Sequence, residues 1–255
     1  MGAKIDTVRE FYDGLAPSYD TMTGFTGRFE RERPAFRALV ERNRIRTAVD
    51  AGCGTGFHAM LLAELGVEVT ALDVSPEMIR RAEENARVLG LKVRWDVADF
   101  QDLSCLAHGQ YDAVFTMGNT LAHLLLENER LGALKNLSEL LVPGGVLVIQ
   151  ILNYERILNA RERIQQETKV GGRVIVRSYE YDRSEILFTI RSFSEVTPQQ
   201  GDVVRTVRLH PLVREELRIL LASLGFKRLE MYGSVSLSTF DPTLSKDLVI
   251  LAFSS

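Results

Sequence analysis

The sequence predicts an α/β protein with a doubly wound, mostly parallel seven-stranded sheet and an inserted small antiparallel three-stranded sheet. Apolar strand-like runs alternate with segments of helical spacing through the first two-thirds of the chain. This alternation is typical of a parallel sheet covered by helices. Residues 173–210 then show alternating runs with no helix between them, which predicts the antiparallel insert. Ligands of such sheets bind at the carboxyl ends of the parallel strands.

The first five strands are predicted from apolar runs and from the helices that separate them. Ser75 is the expected N-cap of one helix, which has a proline in its first turn, and Gly90 is its expected end. Residues 143–145, Pro-Gly-Gly, break the next helix before the fifth strand. The predicted strands are 47–50, 67–72, 93–95, 111–116 and 146–152, and the predicted helices are 57–65, 76–89 and 127–141.

The remaining elements complete the insert and the main sheet. Turn residues at 182–184 and 198–201 separate the insert strands, and Gly225 ends the last helix. The final two strands are predicted to form an antiparallel pair joined by a long loop. The insert strands are 173–181, 186–195 and 203–210; the helix is 211–224; the final strands are 226–232 and 248–253.

Composition limits the classes of partner and compartment. Hydrophobic residues make up 45% of the chain and charged residues 25%, which is ordinary for a soluble globular protein. The net charge of -3 argues against nucleic acid as the main partner. We expect no membrane span and no signal segment, and the two cysteines fit a reducing cytoplasm. We expect no metal, because no Cys/His cluster occurs. We expect a small-molecule substrate. The sequence does not determine the oligomeric state, and a homo-oligomer is compatible with it.

A glycine-rich loop follows the first predicted strand. Gly52, Gly54 and Gly56 let the backbone approach a ligand closely and adopt dihedral angles that other residues avoid. Asp73 ends the next strand, about twenty residues beyond the loop, where a carboxylate can accept hydrogen bonds from both hydroxyls of a ribose. The arrangement indicates an adenosine-type ligand.

Asp50 favours one adenosine ligand over another. The dinucleotide fingerprint is G-x-G-x-x-G, which places a pyrophosphate at a helix N-terminus. Here the spacing is G-x-G-x-G, and Asp50 precedes it at the end of the strand. A carboxylate at this place repels a pyrophosphate and attracts an ammonium or sulfonium group. The expected cofactor is therefore S-adenosyl-L-methionine, with S-adenosyl-L-homocysteine as the product, rather than NAD.

From about residue 10 to 255 the chain resembles the class I S-adenosylmethionine-dependent methyltransferases. The glycine loop, Asp73 and the Pro-Gly-Gly entry to the fifth strand carry this resemblance. Residues 117–124 (MGNTLAHL) and 151–158 (ILNYERIL) are similar to the G-N-[ST]-x-A-H-L and N-Y-[DE]-x-I-L segments of glycine N-methyltransferases. The inserted sheet is also similar to the substrate-covering sheet of that group.

The resemblance implies a domain organisation and a reaction. Residues 1–46 would be an N-terminal helical segment that closes over the cofactor. Residues 47–255 would be the methyltransferase domain, with an inserted antiparallel lid at about 170–210. The expected activity is methyl transfer to a small molecule, an amine by likeness to the glycine N-methyltransferases.

The resemblance also implies which residues surround the cofactor. The three loop glycines would face its methionine part, with Asp50 and the backbone of Ala51 near its ammonium group, and Arg33 or its neighbour Arg31 would pair with its carboxylate. Asp73 would bind the ribose. The residues implied to flank the adenine, the sulfonium and the open side of the site are Val74, Met78, Asp99, Phe100, Met117, Tyr12 and Tyr19.

Four residues are candidates for contact with the methyl acceptor. Asn119, Asn153 and Tyr154 could orient an amine, which needs no strong base once it is unprotonated. His123 would be the base for a hydroxyl acceptor. Structural alternatives stand beside these roles: Asn153 as a cap of the turn after the fifth strand, and His123 as a buried hydrogen-bonding group.

Three other functions remain open at this point. An O- or C-methyltransferase of a small metabolite would give an ether or C-methyl product. A nicotinamide dehydrogenase would bind NADH instead of S-adenosylmethionine. A non-catalytic sensor would bind the cofactor without turnover.

Overall fold

The main sheet of the computed structural model has seven strands in the order β10-β11-β5-β4-β1-β2-β3. The structure describes residues 5–170, 172–195 and 202–254. All the main-sheet pairs are parallel except β10–β11 and β11–β5. The strands are β1 (Thr47–Ala51), β2 (Glu68–Asp73), β3 (Arg94–Val97), β4 (Tyr111–Thr116), β5 (Leu141–Leu152), β10 (Arg228–Tyr232) and β11 (Asp247–Phe253).

Helices cover both faces of this sheet, as predicted. Alternate residues of β1 enter different cores: Val49 and Ala51 pack in one hydrophobic cluster and Ala48 in the other. Because side chains alternate across a strand, two cores identify a doubly wound sheet. The helices are α1 (Val8–Thr23), α2 (Phe25–Asn43), α3 (Phe57–Glu64), α4 (Pro76–Leu89), α5 (Glu127–Glu139), α6 (Tyr154–Ala160) and α7 (Arg214–Ser223).

The capping prediction for α4 is confirmed. The Ser75 side chain accepts a hydrogen bond from the backbone of Met78, and Pro76 begins the helix. Gly90 ends it with φ 67°, in the left-handed conformation that glycine adopts readily. α4 therefore begins directly after β2 and fixes the loop that follows Asp73.

The inserted sheet has four strands, so the prediction of three is wrong. Its order is β6 (Ile164–Val170), β7 (Arg173–Asp182), β8 (Glu185–Ser194) and β9 (Val203–Leu209), all antiparallel. The missed strand, β6, is an edge strand of sequence IQQETKV that is largely exposed. Such a strand pairs through its backbone and buries little, so it lacks the apolar alternation that reveals a strand in sequence.

The strand β5 begins earlier than predicted. Residues 143–145 lie within β5, where the pairing with β4 shifts register between Tyr111 and Ala113, and α5 ends at Glu139. The Pro-Gly-Gly sequence therefore marks an irregularity in a strand. The other boundaries lie within a few residues of those predicted, and the predicted turn at 198–201 falls outside the described residues.

Two helices before β1 place the N-terminal segment above the strand ends. α1 is linked to α4 by the Asp20–Arg81 ion pair at 2.7 Å. Asp6, two residues before α1, links the helix to the insert, because its N–H donates to Thr206 O of β9 at 2.7 Å. α1 thus spans the gap between the main sheet and the insert. Within the ranges described, the structure contains no helix with the length and apolar character to cross a membrane.

Candidate active site

A cavity of about 550 Å³ lies at the carboxyl ends of the parallel strands, beneath α1. Its size falls in the range of small-ligand pockets, roughly 300–1,000 Å³. Gly52 after β1, Asp73 at the end of β2 and Met117 after β4 line it from the sheet, and Tyr12 and Tyr19 line it from α1. The cavity therefore lies at the strand ends, where the sequence predicts that a ligand binds.

In the loop after β1, two glycines are required by close packing against side chains, and the third leaves the backbone open to the cavity. A Cβ on Gly52 would lie 2.4 Å from Thr120 Cγ2, and one on Gly56 would lie 2.5 Å from the Trp95 ring. A Cβ on Gly54 would meet only Tyr19, at 3.8 Å. All three glycines have positive φ, so side chains would be strained there. Gly52 and Gly54 line the cavity, and Gly56 does not.

Asp73 joins the glycine loop to the start of α4. Its Oδ2 accepts from the backbone N–H of Gly54 at 2.9 Å, and its Oδ1 accepts from Ser75 N–H at 2.9 Å. Burial raises the pKa of Asp73 to about 6, although these backbone hydrogen bonds oppose the shift. The carboxylate lines the cavity and keeps lone pairs for further donors.

Asp50 lies beneath the loop and does not line the cavity. Its side chain has no exposed surface, and Ala51 is equally buried. Burial raises the pKa of Asp50 to about 7, and neither of its carboxylate oxygens has a hydrogen-bond partner among the described residues. Neither Asp50 nor Ala51 lines the cavity, and their expected position near the ammonium group of the cofactor stays a prediction.

Of the residues predicted beside an adenine ring, some line the cavity and one is buried behind it. Val74, Asp99 and Phe100 line the cavity, whereas Met78 is fully buried beneath it. Asn136 in α5 donates to the Phe100 carbonyl at 2.9 Å and holds this wall in place. Met78 therefore supports the wall without forming it.

His123 reaches the cavity from the short 3₁₀ helix Thr120–His123. Its Nε2 lies 2.9 Å from the hydroxyl of Tyr12. Its side chain is 9% exposed, and within the described residues its Nδ1 has no hydrogen-bond partner. Burial lowers the pKa of His123 to about 4, so the imidazole is neutral near pH 7.

Asn119 and Tyr154 form a pair behind the cavity wall. Asn119 has φ 72°, and its Nδ2 donates to Tyr154 Oη at 2.8 Å while its Oδ1 accepts from Leu152 N–H. Tyr154 is 1% exposed. Neither residue lines the cavity. The pair fixes the loop after β4 to the end of β5, so the structure favours a supporting position for both.

Asn153 occupies the position of a helix cap, which is the structural alternative to its predicted catalytic role. Its Nδ2 donates to the carbonyls of Pro242 and Ser245 at 3.0 and 2.9 Å. Its Oδ1 accepts from Arg156 N–H as the N-cap of α6. With 2% exposure, the side chain has its polar atoms engaged away from the cavity.

Comparisons with known proteins identify the family. A family model described as a methyltransferase domain matches residues 48–145. The chain is 30% identical over 228 residues to the glycine/sarcosine N-methyltransferase of Parasynechococcus marenigrum, covering 88% of this chain and 78% of that protein. The chain belongs to the class I S-adenosylmethionine-dependent methyltransferases, in their glycine N-methyltransferase-like branch.

Solved structures support the fold of this methyltransferase. The CcbJ methyltransferase of Streptomyces caelestis superposes with a TM-score of 0.79 at 22% identity and covers 98% of this chain and 100% of its own. An S-adenosylmethionine-dependent methyltransferase of Clostridium acetobutylicum gives 0.79 at 16% identity, with 96% and 99% coverage. These likenesses concern the fold. The predictions of fold family, enzyme class and cofactor are confirmed.

The cavity fits the cofactor of this methyltransferase family. Asp73 presents a carboxylate to it, Gly54 offers an open backbone surface, and Phe100 supplies an aromatic wall. These are the groups that a ribose, an amino-acid chain and an adenine require. Across the described ranges, no group of three His, Cys, Asp or Glu residues is placed to hold a metal ion.

Among the described residues, the arginine that lines the cavity of the methyltransferase is Arg28, whereas neither of the two expected arginines, Arg33 and Arg31, lines it. Arg33 pairs with Glu64 at 3.0 Å and Glu30 at 2.6 Å and does not line the cavity. Arg28 lines it, 4.0 Å above the Phe57 ring and paired with Glu32 at 2.9 Å. In the sequence, Arg28 appears only as the first residue of a basic stretch, 28–46, and nothing in the composition distinguishes it from the other arginines there. The signal that could have found Arg28 is its place in the first turn of α2, next to the aromatic residues Phe25 and Phe29.

Proposed function

We propose that this methyltransferase N-methylates a small amine. The observation that carries the proposal is the neutral His123 at the cavity wall, which is hydrogen-bonded to the hydroxyl of Tyr12. A hydroxyl acceptor requires a competent base, and a histidine with pKa about 4 is a poor one at pH 7. A neutral amine requires only hydrogen-bond partners that orient its lone pair. The names of the similar glycine/sarcosine N-methyltransferases support the same choice.

We propose the following roles around the cofactor. Asp73 accepts hydrogen bonds from the ribose hydroxyls, and the backbone of Gly52 and Gly54 follows the methionine part. Arg28 pairs with the cofactor carboxylate, because its guanidinium lies at the cavity, although it also pairs with Glu32 one turn further along α2. The residues assigned to the adenine and sulfonium ends are Val74, Asp99, Phe100 and Met117.

In this proposal, α1 and the inserted sheet together close the site over the cofactor. S-adenosylmethionine supplies an electrophilic methyl group when bound. Tyr12 and Tyr19 cover the cavity, and burial raises the pKa of both phenols, so they stay uncharged. Excluding water strengthens the electrostatic interactions within such a site. His123 and Tyr12 then orient the acceptor nitrogen along the line of transfer.

Product analysis tests the proposal. The purified enzyme is incubated with S-adenosylmethionine labelled with deuterium in the methyl group and a panel of small amines, amino alcohols and alcohols, with glycine and sarcosine included. We expect S-adenosylhomocysteine to form with at least one amine and the labelled methyl to appear on nitrogen. Asp73→Ala is the inactive control. A methyl on oxygen or carbon contradicts N-methylation and leaves the methyltransferase assignment intact.

A further inference from the structure

An ionic cluster lies behind the segment that carries His123, with a buried arginine and two partly buried partners, Glu216 and His210. Arg130 in α5 is 4% exposed. Its Nη1 donates to the carbonyls of Leu124 and Leu125 at 2.8 and 2.9 Å. Its Nη2 pairs with Glu216 of α7 at 2.7 Å. A single guanidinium therefore connects two helices to the chain that follows His123.

The same cluster holds the chain that precedes His123. Glu216 also contacts His210 Nε2 at 2.8 Å. His210 comes directly after β9, and its backbone N–H donates to the Ala122 carbonyl at 2.7 Å. The carbonyls on both sides of His123 are thus held by connected residues: that of Ala122 by the backbone N–H of His210, and that of Leu124 by the side chain of Arg130.

The segment needs this support because its own backbone restrains it weakly. It consists of one short turn, Thr120–His123, preceded by the left-handed Asn119 and followed by the extended Leu124. Such turns have poor internal hydrogen-bond geometry. The His123 ring meets only Tyr12 by side-chain hydrogen bonding among the described residues, so its direction depends on where its backbone lies.

Stability alone is a weak explanation for this cluster. Replacing a buried ion pair by well-packed apolar side chains is often neutral or stabilising, whereas removing one partner is costly. We propose that Arg130, with Glu216 and His210, is a positioning residue that fixes His123 toward the methyl acceptor. This inference rests on the proposed function, because it takes His123 as the group that contacts the acceptor.

The test separates positioning from folding by removing both partners at once. Arg130→Met with Glu216→Leu deletes the pair without leaving a buried charge. We expect a folded protein with a cofactor Kd within threefold of wild type and an acceptor kcat/KM at least tenfold lower. Arg218→Ala is the matched control, since Arg218 is an exposed arginine of α7 that pairs with Glu215. It is expected to stay within twofold of wild type.

A second arm asks whether the loss acts through His123. In a His123→Ala background, the paired substitution is expected to lower kcat/KM by less than threefold further, because there is no ring left to position. The ring resonances of His123 in NMR spectra are expected to move in Arg130→Lys and to stay in Arg218→Ala. An acceptor kcat/KM within twofold of wild type in the paired variant overturns the inference, as does a full additional loss in the His123→Ala background.

Failure of the proposed function gives a different result. If His123→Ala itself keeps wild-type kcat/KM, the acceptor role of His123 is lost and this inference is lost with it. A product methylated on oxygen contradicts the amine proposal alone, and the coupling between Arg130 and His123 is then measured with that acceptor.

Discussion

The hydroxyl of Tyr12 lies 2.9 Å from Nε2 of His123, although 111 positions separate the two residues in the chain. Tyr12 belongs to α1, which covers the cavity, and His123 belongs to the loop after β4. The contact between them therefore forms only when the N-terminal helix lies over the strand ends. Both side chains are neutral near pH 7, because burial raises the pKa of Tyr12 and lowers that of His123. Such a pair can orient a ligand by hydrogen bonding but is a weak base.

The His123 role predicts a particular pH profile. We expect His123→Ala to lower kcat at least tenfold and to change the cofactor Kd by less than threefold. With cofactor saturating, wild-type kcat/KM for the acceptor should rise with deprotonation of the amine and show no inflection near pH 6.5, because burial lowers the pKa of His123 to about 4. Steady-state rates from pH 6 to 9 check this. An inflection near 6.5 that disappears in His123→Ala would contradict it.

Asp73 should make cofactor binding pH-dependent. Burial raises its pKa to about 6, so the acceptor carboxylate is lost as the pH falls through that value, and affinity should fall by up to about tenfold per pH unit below it. Asp73→Asn should weaken binding about tenfold or more at pH 7.5 and remove this dependence. Calorimetry at pH 5.5, 6.5 and 7.5 measures both. Asp99→Asn, an exposed carboxylate at the cavity, should keep the pH dependence.

Arg28 and Arg33 form a matched pair for testing the carboxylate contact. Both are partly buried arginines of α2 that pair with glutamates, but only Arg28 lines the cavity. Arg28→Met should raise the Kd for S-adenosylmethionine about tenfold or more, as expected for a lost charge-assisted hydrogen bond. Arg33→Met should leave it within twofold. Equal effects in the two variants would remove the assignment of Arg28.

Asn153→Ala should lower stability and leave the chemistry unchanged. The side chain caps α6 and donates to carbonyls of the loop before β11. We expect a loss of about 1–3 kcal/mol in the free energy of unfolding, because buried carbonyls lose their donor. Urea denaturation measures this, and kcat per folded enzyme should stay within twofold. Asn43→Ala, which removes one partly buried bond to Leu39 O, should cost less. A large loss of kcat in a stable Asn153→Ala protein would restore the catalytic role.

Asp50 should destabilise the cofactor-free protein as the pH rises. Burial raises its folded pKa to about 7, above its unfolded value near 3.8. The folded state therefore holds the proton more tightly, and stability is lost between about pH 4 and 7, by at most about 1.4 kcal/mol per pH unit. Asp50→Asn should reduce this slope. Urea denaturation of both proteins at pH 5 and 7.5 gives the comparison, and parallel slopes would show that Asp50 does not titrate in this range.

Much of this fold could be predicted from short sequence patterns, because helix caps and turn glycines act on the backbone within a few residues. Ser75 and Gly90 bound α4 wherever the helix packs, and the glycines after β1 allow a turn with positive φ. The strand that was missed, β6, has no apolar periodicity, because an edge strand is held by backbone pairing with β7. Nothing in its seven residues requires that pairing.

The main sheet, the cofactor loop and the family of this methyltransferase could be predicted from local patterns, since periodicity, caps and motif residues are properties of neighbouring positions. Which polar groups face the cavity could be seen only in the folded molecule. Asp50 lies under the loop while Asp73 lines the site, and Arg28 lines it while Arg33 pairs with glutamates. The physical reason is that facing a cavity depends on how α1, α2 and the insert pack over the strand ends. Those contacts join residues far apart in the chain, and no short pattern records them.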